Sequence, residues 1–267
     1  MRSIGSFYVN NDDLNACADL LRRADPERFL ATMAAPVAAR KLLFPLYAFN
    51  AEVVRAPWVT EESMIAEMRL QWWRDVLEEI RAGGPVRRHE VATPLGDVLD
   101  DEATGLLDDL ILARRWDAYR DPFEDAAAFD DYLLKTSGHI MWTCARALGA
   151  DNAAQATVMD VGYAHGLGNF LRAVPALEQA GRIPLVDGRA EAVKDLTKEA
   201  LRRLSSARLA RDMIPAGARV ALLPAWKTSA VLHRAMDRPS RVGQGALDIS
   251  PMRSRVMLMA RAGTGRW

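Results

Sequence analysis

The stretch GYAHGLGNFLRAVPALEQAGRIPL, residues 162–185, lies mostly within a predicted helix that spans about residues 153–180. Gly162 and Gly166 fall along one side of this helix, and Gly168 adds a third glycine. A glycine inside a helix costs roughly 1 kcal/mol relative to alanine, so three of them require a packing or binding reason. We therefore expect a neighbouring helix or a ligand to approach this helix closely.

Helical periodicity also governs the rest of the chain, and no stretch shows the sustained alternation that is typical of a β-strand. Amphipathic helices are predicted over residues 60–81 and 129–147. Further helices are predicted over residues 12–23, 36–55, 94–119, 190–212, 218–236 and 251–262. Because short polar breaks separate these helices, we predict an all-α, single-domain helical bundle over residues 1–245. A basic C-terminal tail follows over residues 246–267.

The charges are balanced overall but unevenly distributed. The chain has 267 residues, with 35 Lys and Arg against 35 Asp and Glu. Residues 1–200 carry 22 basic and 32 acidic side chains, whereas residues 201–267 carry 13 basic and 3 acidic ones. A basic terminus is typical of a protein that meets an anionic surface, or of a segment that docks on an acidic body.

Several classes of protein are disfavoured by the composition. No apolar run approaches the roughly 20 residues that span a membrane, and residues 1–14 lack the apolar core of a signal peptide. Cys17 and Cys144 are too few for a disulfide framework or a Cys-rich metal site. We therefore expect a cytoplasmic protein.

Common catalytic motifs are missing from the sequence. The four histidines are scattered, and no G-x-S-x-G or G-x-x-x-x-G-K-[ST] string occurs, so hydrolase, zinc and P-loop functions have no support. Acidic clusters at 97–101, 108–109 and 130–131 are candidates for binding Mg²⁺ and a diphosphate. They alternate with apolar residues, however, and we interpret them as the solvated side of amphipathic helices.

Four longer blocks occur in a specific order along the chain. They are RKLLFPLYAFNAEVVRAPW at 40–58, MRLQWWRDVLEEI at 68–80, YLLKTSGH at 132–139, and the 162–185 stretch. In their order and spacing, these blocks resemble the squalene/phytoene synthase family from about residue 27 to about residue 235. The resemblance implies an isoprenoid-synthase-type bundle of helices around a deep central cavity.

Active members of that family join two prenyl diphosphates, and two Asp-rich motifs on facing helices hold Mg²⁺ against the diphosphates. Carboxylate-bound divalent cations neutralise the charge of the leaving group as its bond breaks. In this sequence the aspartate positions are occupied by Val54, Arg55 and Trp58 in the first motif, and by Ala173 and Leu177 in the second. The resemblance thus implies that both motifs are lost, and we expect no metal, no cofactor and no catalytic residue.

Other positions of the family's cavity are retained. Tyr47, Tyr132, Asn169 and Arg172 match residues that line the cavity in active members, and they form our candidate ligand pocket. In the alternative interpretation, the two tyrosines are core aromatics with hydrogen-bonded hydroxyls, and the other two side chains are satisfied polar packing.

Three shorter strings indicate a particular branch of the family. YAFN-x-E at 47–52, RLQWWRD at 69–75 and LRAVP at 171–175 are similar to the branch represented in mitochondria by a non-catalytic assembly factor for respiratory complex I. The resemblance implies a pseudoenzyme that acts as a membrane-associated assembly or lipid-handling factor. Its implied partners are complex I subunits or assembly intermediates, and an isoprenoid lipid.

Two other functions remain open. In the first, the chain is a divergent prenyl transferase of isoprenoid biosynthesis that uses Mg²⁺, with Arg55, Arg172 and the acidic stretch 97–109 replacing the lost motifs. In the second, it is a scaffold without a ligand, and its cavity is filled by tryptophan side chains: Trp58, Trp72 and Trp73.

The tail SPMRSRVMLMARAGTGRW, residues 250–267, sets arginines around a short apolar face. Two placements are expected for such a segment. It lies on the anionic inner face of the membrane, or it docks over the bundle while its arginines reach water. Nucleic acid is not an expected partner, because no aromatic platform accompanies the basic residues.

Overall fold

The computed structural model describes residues 11–60 and 62–267. Residues 1–10 and 61 lie outside it. Our expectation that the N-terminal stretch is no signal peptide therefore falls mostly outside the described residues. One position of the helix predicted over residues 60–81 also falls outside them.

Within the described residues the chain forms α-helices connected by short turns, and no strand is present. The α-helices are α1 (Asn11–Ala24), α2 (Pro26–Ala34), α3 (Val37–Arg55), α4 (Ser63–Ala82), α5 (Ala92–Gly96), α6 (Asp101–Arg114), α7 (Ala126–Leu133), α8 (His139–Ala147), α9 (Gln155–Gln179), α10 (Ala190–Leu209), α11 (Thr228–Asp237), α12 (Ser240–Gly243) and α13 (Pro251–Thr264). Short 3₁₀ segments cover Ala56–Trp58, Arg115–Ala118, Asn152–Ala154, Arg211–Met213 and Ala218–Ala225, and a π-helical turn covers Leu134–Gly138. The predicted all-α fold is confirmed.

Helix α2 falls where the sequence predicted only a break, at Asp25-Pro26. Pro26 occupies the first turn, where the missing N–H costs nothing, and the Asp25 side chain accepts a hydrogen bond from Arg28 N at 2.9 Å. The dipeptide is therefore a helix start as well as a helix stop.

The prediction of one continuous helix over residues 94–119 is wrong, because the structure has two α-helices and a 3₁₀ segment there. The chain leaves the helix after α5, and α6 begins with Asp100, whose carboxylate accepts from Ala103 N at 2.8 Å. An aspartate at this position satisfies an otherwise unpaired N–H group of the first turn. The apolar pattern continues through the break, which is why periodicity alone did not reveal it.

Helix α9 packs in the middle of the bundle against α8, α10 and the π-helical turn. A Cβ atom on Gly162 would lie 2.6 Å from Cα of Gly138, and one on Gly166 would lie 2.7 Å from Cβ of Ser137. The predicted close approach is confirmed at both glycines, and the neighbour is the π-helical turn. At Gly168 the nearest atom would be 3.8 Å away, so that glycine permits no comparably close contact.

The C-terminal helix α13 docks on the bundle. Leu258 is buried in a small apolar cluster with Ala31 of α2 and with Leu223 and Trp226. The opposite face of α13 leaves apolar side chains in solvent. The division of the chain at residue 245 stays a prediction. Among the described residues, none of the helices is both long and apolar enough to cross a membrane.

Candidate functional site

A cavity of about 220 Å³ lies among α3, α7, α9, the π-helical turn and the 3₁₀ segment that follows α6. Six of the nine predicted pocket and metal-motif residues line it: Val54, Trp58, Tyr132, Asn169, Ala173 and Leu177. Residues more than a hundred positions apart in the chain thus meet around one space, between the two helices that carry the motif positions.

The other three candidate residues do not line this cavity. The Tyr47 hydroxyl is buried and donates to Ala221 O at 3.2 Å, with the Arg28 guanidinium 5.1 Å from its ring centre. Burial raises the pKa of Tyr47 well above 10.0. Arg55 is exposed and lies 3.5 Å from Glu52 Oε1.

The third of these residues, Arg172, is held by two carboxylates. Its Nη1 and Nη2 each lie 3.1 Å from an oxygen of Glu27, and its Nε lies 2.7 Å from Asp248 Oδ1. The buried Lys227 ammonium also pairs with Glu27. Because its charge is already matched, Arg172 is not free to meet a diphosphate.

Three charged side chains line the cavity: Arg28, and the ion pair of Arg114 with Asp117. Asp117 and Arg114 lie 3.0 Å apart (Oδ2 to Nη1), and the Tyr132 hydroxyl donates to Asp117 Oδ1 at 3.0 Å. Arg114 Nη1 also donates to the Tyr132 oxygen at 2.8 Å. Burial raises the pKa of Tyr132, which keeps the hydroxyl protonated and able to donate.

The residues around the cavity do not fit Mg²⁺. Of the described residues that line it, Asp117 alone carries a carboxylate, and Arg114 and Tyr132 already occupy its oxygens. In the described part of the chain, no three His, Cys, Asp or Glu side chains are grouped to hold a metal ion. Asn50 Oδ1 is buried without a hydrogen-bond partner, which suits a water or a small hydroxyl donor better than a divalent cation.

Aromatic side chains occupy much of the space beside the cavity. Trp116 stacks on Phe123 with ring centres 4.1 Å apart, and Phe170 lies 5.0 Å from Phe129 and 5.9 Å from Tyr132. Of the three tryptophans proposed as filling, Trp58 lines the cavity. The other two, Trp72 and Trp73, pack on each other at 4.8 Å and contact His89.

A chain of hydrogen bonds links the cavity to the Arg172 ion pairs. Arg172 Nη1 donates to Asn169 Oδ1 at 3.3 Å, so the Asn169 amide nitrogen faces His165 Nε2, 3.1 Å away. His165 Nδ1 in turn lies 3.2 Å from Thr228 Oγ1. Since an amide nitrogen can only donate, His165 Nε2 accepts and His165 Nδ1 carries the proton. The retained Asn169 is therefore a fixed link in a polar chain.

This arrangement predicts acid sensitivity. Burial lowers the pKa of His165 from 6.5 to about 3, and the positive charges of Arg28, Arg172 and Lys227 contribute. The unfolded chain takes up a proton below pH 6.5 while the folded chain does not, so stability falls as the pH drops. At pH 5 we expect wild type to lose about 2 kcal/mol more of its pH 7 unfolding free energy than His165→Gln does. Urea unfolding at both pH values measures this, and equal losses in the two proteins would contradict it.

The acidic clusters at 97–101 and 108–109 serve the scaffold. Besides capping α6, Asp100 pairs with Arg146 at 2.8 Å, and Asp108 pairs with Arg74 at 2.7 Å. Asp130, in the third cluster, accepts from the Tyr163 hydroxyl at 2.6 Å. These carboxylates have partners within the bundle and lie outside the cavity lining.

Sequence reasoning missed the charged residues that organise the site: Arg114, Asp117, Glu27, Lys227 and Asp248. Arg114 and Asp117 are three residues apart at a helix end, a spacing that permits an ion pair and gave the only local signal. No pattern in the sequence links Glu27 to Lys227, 200 residues further along the chain.

The sequence of this chain is similar to a protein-family model and to several curated proteins. Residues 21–188 match the sequence model of the squalene/phytoene synthase family. Over 176 residues the chain is 29% identical to the human protein "NADH dehydrogenase (ubiquinone) complex I, assembly factor 6", covering 60% of this chain and 48% of that protein. The chain thus spans about half the length of this relative. The Drosophila melanogaster homolog is 27% identical over 250 residues, covering 82% of this chain and 74% of its own.

Solved structures show the same fold at low sequence identity. A dehydrosqualene synthase in complex with ligand is 18% identical and superposes with a TM-score of 0.79, covering 95% of this chain and 96% of that one. Squalene synthase HpnC from Alicyclobacillus acidocaldarius is 17% identical, with a TM-score of 0.71 over 87% and 94% of the two chains. The predicted isoprenoid-synthase-type bundle is confirmed. The sequence model of the squalene/phytoene synthase family matches more than half of this chain, and the chain therefore belongs to that family.

Proposed function

We propose that this chain is a non-catalytic member of its family that acts as an assembly factor, with respiratory complex I as its client. The observation that carries the proposal is a family cavity with a single, fully engaged carboxylate, in a chain whose curated relatives are named complex I assembly factors. We interpret Val54, Arg55, Trp58, Ala173 and Leu177 as the remains of the two metal motifs.

The chemistry and the size of the cavity disfavour prenyl transfer. Without carboxylates, no divalent cation neutralises the diphosphate leaving group, and each 1.36 kcal/mol lost from that stabilisation slows the reaction about tenfold. The cavity of about 220 Å³ is also smaller than the roughly 300–1,000 Å³ of typical ligand pockets, whereas the reaction needs two prenyl diphosphates. One isoprenoid lipid remains a candidate ligand, because part of the cavity lining is apolar: Val54, Trp58, Leu133, Phe170, Ala173 and Leu177.

We further propose a peripheral location on the inner face of the membrane. Met252 and Met259 on the outer face of α13 are 79% and 73% exposed, and Arg253 and Arg255 on the same helix are exposed as well. Apolar side chains among arginines suit insertion at an anionic lipid surface.

The proposed function is tested by deleting the gene in its source organism and scoring two products. We expect NADH dehydrogenase activity and assembled complex I to fall and to return with the wild-type gene, while isoprenoid products stay unchanged. Purified protein given farnesyl or geranylgeranyl diphosphate with Mg²⁺ should release no product.

Two outcomes would contradict the proposal. Normal complex I in the deletion strain would remove the client. Turnover of a prenyl diphosphate that Arg172→Ala abolishes would show a divergent prenyl transferase instead, because contaminating enzymes would not respond to that substitution.

A further inference from the structure

The C-terminal ends of α10 and α13 meet at a second cavity, which shares no lining residue with the first one. Its volume is about 280 Å³, and it is lined by four arginines and a tryptophan: Arg208, Arg211, Arg261, Arg266 and Trp267. We call it the arginine pocket. Three of the four arginines are half-buried, so their positions are defined by packing.

Backbone geometry explains why these residues meet. Gly265 takes the left-handed conformation (φ 57°), ends α13 and turns the chain back, and Arg266 N then donates to Arg261 O at 3.0 Å. Trp267 is thereby buried beside α10, where its main-chain oxygen accepts from Arg208 Nε at 3.1 Å. The carbonyls at this helix end attract guanidinium groups, and Arg211 Nη2 donates to Thr264 O at 3.3 Å.

The pocket has an excess of unmatched positive charge and unused donors. Among the described residues, no carboxylate forms an ion pair with any of its four arginines, and the neighbouring Asp212 pairs with Arg219 instead. Arg208 Nη2, Arg211 Nε and Trp267 Nε1 are buried without a hydrogen-bond partner. Burial lowers the pKa of Arg208, and the charge of Arg261 adds to the effect.

The net charge of the arginine pocket is positive. Two helix C-termini contribute roughly half a negative charge each, and even a full carboxylate at Trp267 would leave four guanidinium groups with about two positive charges in excess. Buried donors without acceptors are rare in proteins and call for a partner.

We propose that the arginine pocket binds a phosphate-type oxyanion. Planar guanidinium groups match the geometry of phosphate oxygens and bind them through paired, charge-assisted hydrogen bonds. The volume of about 280 Å³ far exceeds the roughly 30 Å³ that one water molecule takes, so the phosphate can carry an organic substituent. This site does not depend on the complex I client.

The phosphate can come from solution or from a lipid headgroup. Leu209 and Met213, next to the pocket arginines in the chain, are 88% and 51% exposed, which favours contact with lipid. A test therefore needs both a soluble probe and a membrane probe.

The soluble probe is inorganic phosphate, titrated into the full chain by calorimetry at low and high salt. We expect binding that weakens with salt and that falls about tenfold or more in Arg261→Gln/Arg266→Gln, whose side chains make no hydrogen bond within the described residues. The matched control is Arg238→Gln, an exposed arginine outside the pocket, which should bind as wild type does. Circular dichroism confirms that the variants fold.

The membrane probe is sedimentation with phosphatidylcholine vesicles, with or without phosphatidylglycerol. Binding to the anionic vesicles that the double arginine substitution abolishes and soluble phosphate competes away identifies a lipid headgroup. Phosphate binding without vesicle binding identifies a soluble ligand. The control variant Met252→Ser/Met259→Ser should bind phosphate as wild type does, even if it loses vesicle binding through α13. The proposal is overturned if neither probe binds wild type, or if the double arginine variant binds both probes as tightly.

Discussion

Replacing Gly162 with alanine should destabilise the protein by about 2–3 kcal/mol. The new Cβ would lie 2.6 Å from the Cα atom of Gly138, and a backbone atom can move only if the whole π-helical turn moves. Overpacking of a well-packed interior costs about 1–3 kcal/mol, and contact with backbone places this substitution near the upper end. Chemical denaturation measures the change, and the melting temperature should fall by roughly 4–6 °C.

Gly168→Ala is the matched control in the same helix. Its Cβ would meet only side-chain carbons of Val231 and Thr228, at 3.8 and 3.9 Å, which is ordinary contact. Alanine also favours the helix by up to about 1 kcal/mol, so this variant should be as stable as wild type or more stable. Equal stability of the two variants would mean that α9 and the π-helical turn do not approach as closely as described.

The elements that the sequence predicted well are those whose evidence is local. Apolar spacing placed α3, α4, α9 and α10, and the glycines of α9 predicted a close neighbour because a missing side chain has few other uses inside a helix. The boundaries failed where a polar cap interrupts an unbroken apolar pattern, as at Asp100, and where proline begins a helix, as at Pro26.

The candidate site was predictable only in part. The resemblance to the family indicated that Val54, Trp58, Tyr132, Asn169 and Ala173 lie near one cavity, and all five line it. This was possible because the family's sequence blocks have a fixed order along the helices of the bundle. The ion pairs that hold this region could not be predicted, since their partners come from distant segments whose register depends on the folded bundle. The even balance of 35 basic and 35 acidic residues likewise conceals that the carboxylates cap helices and pair with arginines.

Replacing Asp117 with asparagine should cost about 3–5 kcal/mol of unfolding free energy. Arg114 and Asp117 are both largely buried, and Arg114 Nε already lacks a hydrogen-bond partner. Removing the carboxylate charge leaves a guanidinium in the interior without compensation, which is the usual reason that breaking a buried ion pair is so costly. The Tyr132 hydroxyl keeps an acceptor in the amide oxygen, so steric change is small. Urea unfolding at neutral pH measures the loss.

A second substitution separates charge from packing. Because Arg114→Met removes the uncompensated cation, Arg114→Met/Asp117→Asn should be more stable than Asp117→Asn alone. Asp108→Asn is the matched control: its partner Arg74 lies at 2.7 Å on the partly exposed surface, where such pairs contribute at most about 1 kcal/mol. If Asp117→Asn costs no more than Asp108→Asn, the pair is accessible to water. Water in the cavity would then screen the two charges, and the pair would contribute little to the stability of the bundle.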